Sequence, residues 1–357
     1  MHDKRTPTGL RRLARAEPDT AAGRPARNRP DHRVRLAYRS PYDWEALLAF
    51  LAARATPGVE AVEGGRYRRT ISIGANHGVV EVSRVKSRAA LALEVRFPDH
   101  QALLSIVERV RRMFDVGADP SAIGENLGAD PLLGRPLARH PGIRMPGAWD
   151  GFELAVRAII GQQISVRAAT TIAGRVAEMF GSPLADPRDP DRLFPTAAQL
   201  ADAAVERVGV MPARAATIRA LAQRVADGRI AFDPCVDERA TLAAVTALPG
   251  IGDWTVAYIA MRAFGKPDAF PAGDLVLRRA AGGCTARELD RRSERWRPWR
   301  GYAVMLLWQD ATDHRDKSWR TKGARPPGSA NPRHGAGRGV DRVAAHGDPP
   351  VPEVGGR

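Results

Sequence analysis

Asp274 sits in FPAGDLVLRRA, behind Pro271 and Gly273 and ahead of the apolar positions Leu275 and Leu277. That placement suits the N-cap of a helix, a frequent post for aspartate because its carboxylate accepts from the free first-turn amides. A carboxylate held still in this way is also a fixed negative charge, able to steady a developing positive charge or orient a water. Upstream, LPGIGDWTVAYIAMR sets two glycines around one isoleucine at the head of an apolar helical run. Gly250 and Gly252 let the backbone take unusual dihedrals and approach a ligand closely. With Asp253 or a neighbour as cap, the turn amides, the unpaired first amides of the helix and its dipole would form an anion site. A DNA phosphate fits such a site without a basic side chain; a helix–turn–helix corner needing glycine only for space fits the same residues. Trp254 and Tyr258 are four apart and share a helix face, either as a stacking surface or as an ordinary core pair.

The elements that would carry these residues differ in texture along the chain. YDWEALLAFLAARA places Trp44, Leu47, Leu48 and Leu51 at helical spacing, and TISIG, GVVEVS and LALEVRF alternate as strands. HQALLSIVERVRRMF then reads as a helix, so residues 35–115 form a small antiparallel α+β module with no evident chemistry of its own. From 116 to 312 the chain reads as almost wholly helical, with several helices closed by glycine: FELAVRAIIG, SVRAATTIAGRVAEMFG, ARAATIRALAQRVADG, ERATLAAVTALPG and DWTVAYIAMRAFG. Residues 1–34, rich in Arg, Pro and Asp, and 313–357, rich in Arg, Pro and Gly, show no periodicity and are expected to be disordered.

Composition narrows the function. The 357 residues carry a formal charge of +15, which suggests a polyanionic partner. The signal is weak, because the two tails hold +9 of it and arginine richness also follows from a GC-rich genome. Two cysteines, Cys235 and Cys284, cannot build a disulfide framework, a four-cysteine metal site or a cysteine-ligated iron–sulfur cluster, and read as packed thiols. No apolar run reaches the ~20 residues of a membrane span, and the N-terminus lacks the apolar core of a signal peptide. A cytoplasmic protein is expected.

The run LPGIGDWTVAYIAMRAFGKPDAFPAGDLVLRRA resembles the signature of the helix-hairpin-helix Gly/Pro-Asp DNA glycosylases, and is most similar to their 3-methyladenine branch. HPGIRMPGAWDGFELAVRAIIGQQISV, RSERWRPWRGYAVMLLWQDA and YRSPYDWEALLAFLAARATPGVE match other segments of that family, so the resemblance spans roughly residues 35–310. A joint match of separated motifs is far more specific than any one of them. The resemblance implies an α+β protein: a small N-terminal antiparallel β/α module, then a mostly α-helical two-lobe domain with a helix-hairpin-helix.

It also implies roles. Asp274 becomes the catalytic carboxylate beside C1′ of an extruded nucleotide. Trp254, Tyr258 and Trp308 line the base pocket, where ring faces attract a cationic alkylated purine by roughly 0.5–2 kcal/mol per contact. Gly250, Ile251 and Gly252 grip the DNA strand. Gln163, in GQQIS, stands where the family places the residue that fills the vacated stack, and Ser165 caps the next helix while donating to a phosphate. Backbone carbonyls of Thr246, Leu248 and Ile251 match positions that hold a monovalent cation in the family; no cofactor is required. Relatives that also cut the strand use a lysine amine where this chain has Trp254, and Lys266 is the one lysine in the helical half. A monomeric, monofunctional glycosylase acting on alkylated purines in double-stranded DNA is therefore expected. A glycosylase for another damaged base and a non-catalytic DNA-binding regulator remain open. Trp296 and Trp299 read as packing residues and Asp268 as a loop residue.

Overall fold

The computed structural model describes residues 31–184, 190–233 and 236–323. Period-two alternation builds one five-stranded antiparallel sheet of order β1-β5-β4-β3-β2, from β1 His32–Ala37, β2 Glu60–Glu63, β3 Arg66–Ile73, β4 Asn76–Arg84 and β5 Ala90–Arg96. Its register sets Leu36 opposite Leu91, Val80 opposite Val95 and Val82 opposite Leu93, so one face is a continuous apolar layer. TISIG, GVVEVS and LALEVRF fall in β3, β4 and β5 as expected. The edge strands β1 and β2 were not foreseen; β1 begins inside the stretch expected to be a disordered leader.

α1 (Trp44–Ala52) packs on this sheet, capped by Asp43, and α2 (Leu103–Met113) follows β5 after a 3-10 turn. Next come α3 (Pro120–Leu127), α4 (Gly134–Arg139), α5 (Gly151–Ile160), α6 (Val166–Phe180), α7 (Ala197–Leu200) and α8 (Pro212–Ala226). The hairpin helices are α9 (Glu238–Thr246) and α10 (Asp253–Arg262). α11 (Leu275–Ala280), α12 (Ala286–Ser293) and α13 (Arg300–Gly323) finish the described chain. α13 reads through residue 313, where the tail was expected to begin.

Two hydrophobic cores result. The first joins the sheet's apolar face and α1–α3 to Met261, Leu277, Leu289, Trp296 and the Tyr302–Leu307 stretch of α13. The second is built from α5–α8 with Val245, Leu248, Ile251 and Ile259 of the hairpin. The N-terminal module, expected over residues 35–115, shares the first core with α13. α10 contributes Met261 to one core and Ile259 to the other, and so lies along the seam.

A buried polar network crosses the same seam. Arg69 pairs with Glu153 at 2.7 Å; Arg157 pairs with Glu60 at 2.8 Å and with Glu153 at 3.0 Å; the Tyr67 hydroxyl donates to Glu60 at 2.6 Å. Burial pushes the Glu60 carboxyl up, but Arg157 and Arg69 outweigh it and hold the group below the usual glutamate value. Removing one partner from such a cluster strands a buried charge and costs about 3–5 kcal/mol.

Candidate active site

The site begins with a cap. Asp274 is the N-cap of α11, and its Oδ1 accepts from the amides of Val276 and Leu277, both at 2.9 Å. Two side chains complete the hold: the indole Nε1 of Trp254 donates to Oδ2 at 2.9 Å, and that of Trp308 donates to Oδ1 at 3.3 Å. The half-buried carboxylate is thus aimed by four N–H groups from three elements. Capping and a directed negative charge are here two uses of one side chain.

α10 presents Trp254 and Tyr258 as a stacked pair, centroids 5.2 Å apart and planes 11° from parallel. Trp308 of α13 faces Tyr258 at 6.2 Å and stacks on Phe50 of α1 at 6.3 Å. The three expected pocket aromatics therefore meet at the expected carboxylate, and Phe50 joins them from the module that showed no chemistry in sequence. Beyond them stand two guanidiniums. The Arg54 carbon lies 3.7 Å from the Phe50 centroid, and that of Arg262 lies 4.8 Å from Phe50 and 5.6 Å from Tyr258. Part of the expected cation-attracting ring surface is thus already engaged by the protein's own cations. Burial pushes the Tyr258 phenol up, but Arg262, Arg54 and Arg157 outweigh it and lower its pKa.

The hairpin glycines have different reasons. Gly250 has φ +86°, and a Cβ there would lie 2.4 Å from Thr217 Oγ1, which itself donates to the Pro249 carbonyl at 2.8 Å. Gly252 has an ordinary φ of −104° and open space around its missing Cβ, so nothing inside the chain requires glycine there. Ile251 is buried in the second core and offers the hairpin surface only its backbone. Of Asp253 or a neighbour as cap of α10, the structure has the neighbour: the N-cap is Gly252, no side chain caps the first turn, and Asp253 is its exposed first residue. The bare amides remain available to an anion.

In GQQIS, Gln163 is exposed and held at φ +57°, a left-handed conformation unusual for a non-glycine residue. Ser165 caps α6, accepting from Ala168 at 3.2 Å, and is exposed. Gln162, not singled out in sequence, donates to the Gly250 carbonyl at 2.9 Å and the Thr255 hydroxyl at 3.1 Å, tying this turn to the hairpin. Among the carbonyls matched to a cation site, that of Leu248 accepts from Ile251 at 3.2 Å, and Thr246 turns its hydroxyl back to Leu242 at 2.8 Å. Among the described residues no His, Cys, Asp or Glu group is arranged to hold a metal.

The remaining candidates take structural posts. Trp296 is fully buried and donates to Asp130 at 2.8 Å, and Trp299 packs edge-on against Tyr302. Asp268 is more than a loop residue, since it pairs with Arg297 and Arg300. Lys266 pairs with Glu238 at the protein surface. Cys284 is a partly buried free thiol, and Cys235 lies outside the described residues. No described helix is long and apolar enough to cross a membrane.

Comparison with known proteins identifies the family. Residues 33–150 match the AlkA N-terminal domain, and residues 156–295 match the HhH-GPD superfamily base excision DNA repair protein model. The chain is 40% identical over 321 residues to a probable bifunctional transcriptional activator/DNA repair enzyme AlkA of Mycobacterium tuberculosis, covering 88% of this chain and 63% of that protein's length. It is 34% identical over 277 residues to DNA-3-methyladenine glycosylase 2 of Escherichia coli, covering 76% of this chain and 95% of that one. A 3-methyladenine DNA-glycosylase structure from Archaeoglobus fulgidus shares the fold, with TM-score 0.67 and 22% identity over 78% of this chain and 98% of the other. So does an 8-oxoguanine glycosylase/lyase of Clostridium acetobutylicum bound to double-stranded DNA, with TM-score 0.62 and 19% identity over 77% and 93%. An aspartate held by two indoles, a glycine hairpin with uncapped amides and these matches along nearly all of the described chain place it in the HhH-GPD superfamily of base excision DNA repair proteins, in the group that carries the AlkA N-terminal domain.

Proposed function

We propose that the chain hydrolyses the N-glycosidic bond of alkylated purines, of the 3-methyladenine and 7-methylguanine type, in double-stranded DNA within the cytoplasm. The observation that carries this is the Asp274 carboxylate, fixed by the indole N–H groups of Trp254 and Trp308 at the edge of an aromatic cluster. A flipped base stacks on that cluster. As its bond to C1′ breaks, positive charge gathers on the sugar, and the fixed carboxylate stabilises it or directs water onto C1′. The uncapped amides of α10, with Gly252 clear of any side chain, take a backbone phosphate, while the exposed Gln163 reaches towards the vacated stack.

The product is a free base and an abasic strand that stays intact. By the resemblance, Trp254 stands where a strand-cutting enzyme of this kind would need a lysine, and Lys266 is engaged with Glu238. The Thr246, Leu248 and Ile251 carbonyls are proposed as the place where a monovalent cation would steady the hairpin. The test is base release from methylated duplex DNA, followed by denaturing electrophoresis before and after alkali. The wild type is expected to release alkylated purines and leave strands intact until alkali is added. Asp274→Asn is expected to lose at least ~100-fold in rate. DNA binding by the wild type without any base release would sink the proposal.

A further inference from the structure

The polar network at the seam is not electrically even. Arg69 and Arg157 are matched by Glu153 and Glu60. Arg54 and Arg262 have no carboxylate within ion-pair distance among the described residues. Arg54 donates to the Phe50 carbonyl at 3.3 Å. Arg262 donates to the carbonyls of Pro146 and Gly147 and to the Tyr258 hydroxyl, the last at 2.9 Å. Burial lowers the pKa of both; that of Arg54 falls to about 10, which leaves it charged at neutral pH.

Their position relative to Asp274 gives this surplus a use. Both guanidiniums lie over the Phe50 ring, Phe50 stacks on Trp308, Tyr258 stacks on Trp254, and both indoles donate to Asp274. The site therefore has a negative end at the carboxylate, an aromatic middle and a positive end at two unmatched arginines. Resting on the glycosylase reading above, we propose that Arg54 and Arg262 form a positive pole opposite Asp274 that drives positive charge from an extruded base onto its deoxyribose as the bond between them breaks.

The electrons balance as follows. The C1′–N bond breaks heterolytically and its electron pair stays on the base nitrogen. A cationic alkylpurine then departs neutral, the sugar carries the positive charge, and water adds to C1′ with loss of a proton to solvent. A neutral purine departs as an anion and takes its proton from water. In the first case the guanidiniums repel the bound cation, and bond breaking relieves the repulsion. In the second they meet no charge on the bound base and attract the one that forms. They act as specificity-determining positioning residues: they raise the rate for both classes and weaken ground-state binding of the cationic class alone.

That split is the test. Duplexes carrying one 7-methylguanine (cationic) or one hypoxanthine (neutral) would be assayed for single-turnover base release by the wild type, Arg54→Met and Arg54→Lys. Binding would be measured with the same substitutions in an Asp274→Asn background, so that the substrate survives. Arg54→Met is expected to slow release of both bases by about tenfold, to tighten binding of the 7-methylguanine duplex, and to leave binding of the hypoxanthine duplex unchanged. Arg54→Lys, which keeps the charge, should recover most of the rate. Parallel loss of rate and binding on both duplexes, unchanged rates, or a lysine variant no better than methionine would overturn the proposal. Arg54→Gln supplies the same comparison if the methionine variant does not fold, and the 7-methylguanine split decides alone if hypoxanthine is not released. Base release by the wild type without the split removes the positive pole but not the glycosylase; no release by the wild type removes both.

Discussion

At the scale of single residues, the notable economy is that Trp254 works through two edges. Its ring face stacks on Tyr258, and its N–H fixes Asp274. Trp254→Phe separates these roles, because it keeps an aromatic face and removes the donor. A hydrogen bond to a charged group contributes about 1.5–3 kcal/mol, so this variant should lose roughly 10–100-fold in single-turnover release while binding damaged duplex within a few fold. A loss confined to binding would show that the indole serves only as a wall. Asp274, Trp254, Tyr258 and Trp308 were legible in the sequence because each sits in a motif with a recognisable neighbourhood. Phe50 and Arg54 were not, because they share the site only after α1, about two hundred residues upstream of α10, has docked against it. Gln162 was hidden differently: beside another glutamine, nothing local shows which of the two turns towards the hairpin.

At the scale of elements, the hairpin's two glycines divide the labour of shape and access. Gly250→Ala forces a side chain into a left-handed backbone and against Thr217, so it should lower the melting temperature and disturb the hairpin. Gly252→Ala meets no atom of the chain and has an ordinary φ; it should cost no more than the roughly 1 kcal/mol of a poorer N-cap and weaken DNA binding several fold. Calorimetry and a binding titration on both variants check this, and equal losses of stability would refute it. The strands β3, β4 and β5 were readable because each alternates over a long enough run. β1 and β2 were not: in HRVRLA only Val34 and Leu36 carry the alternation, at the end of an arginine-rich stretch, and EAVE has only four residues, so neither run is long enough to stand out before β5 and β3 pair with it.

At the scale of the whole molecule, Asp115 joins the parts and makes stability depend on pH. Its Oδ2 accepts from the Met145 amide at 3.0 Å and from the Tyr302 hydroxyl of α13 at 2.9 Å. Burial pushes the carboxyl up to about 6 from an ordinary value of 3.8. A carboxyl raised on folding contributes stability that is fully present below about 4 and is lost as pH rises through about 6. Asparagine keeps an acceptor for both donors and tolerates the φ of +49° at this position. Asp115→Asn should therefore melt a few degrees higher than the wild type at pH 7 and alike below pH 4. A lower melting temperature at pH 7 would show that the ionised form is the one the fold prefers.

The first core has a further consequence, for the order in which the chain can mature. Its layers come from residues 36–149 at one end and from the 302–307 stretch near the other. During synthesis the sheet and α1–α3 emerge early, and the part of their core that α13 fills stays uncovered until Tyr302–Leu307 leaves the ribosome. The nascent chain must therefore pass through a period of exposed greasy surface, and a ribosome stalled before α13 would display a natural target for chaperones.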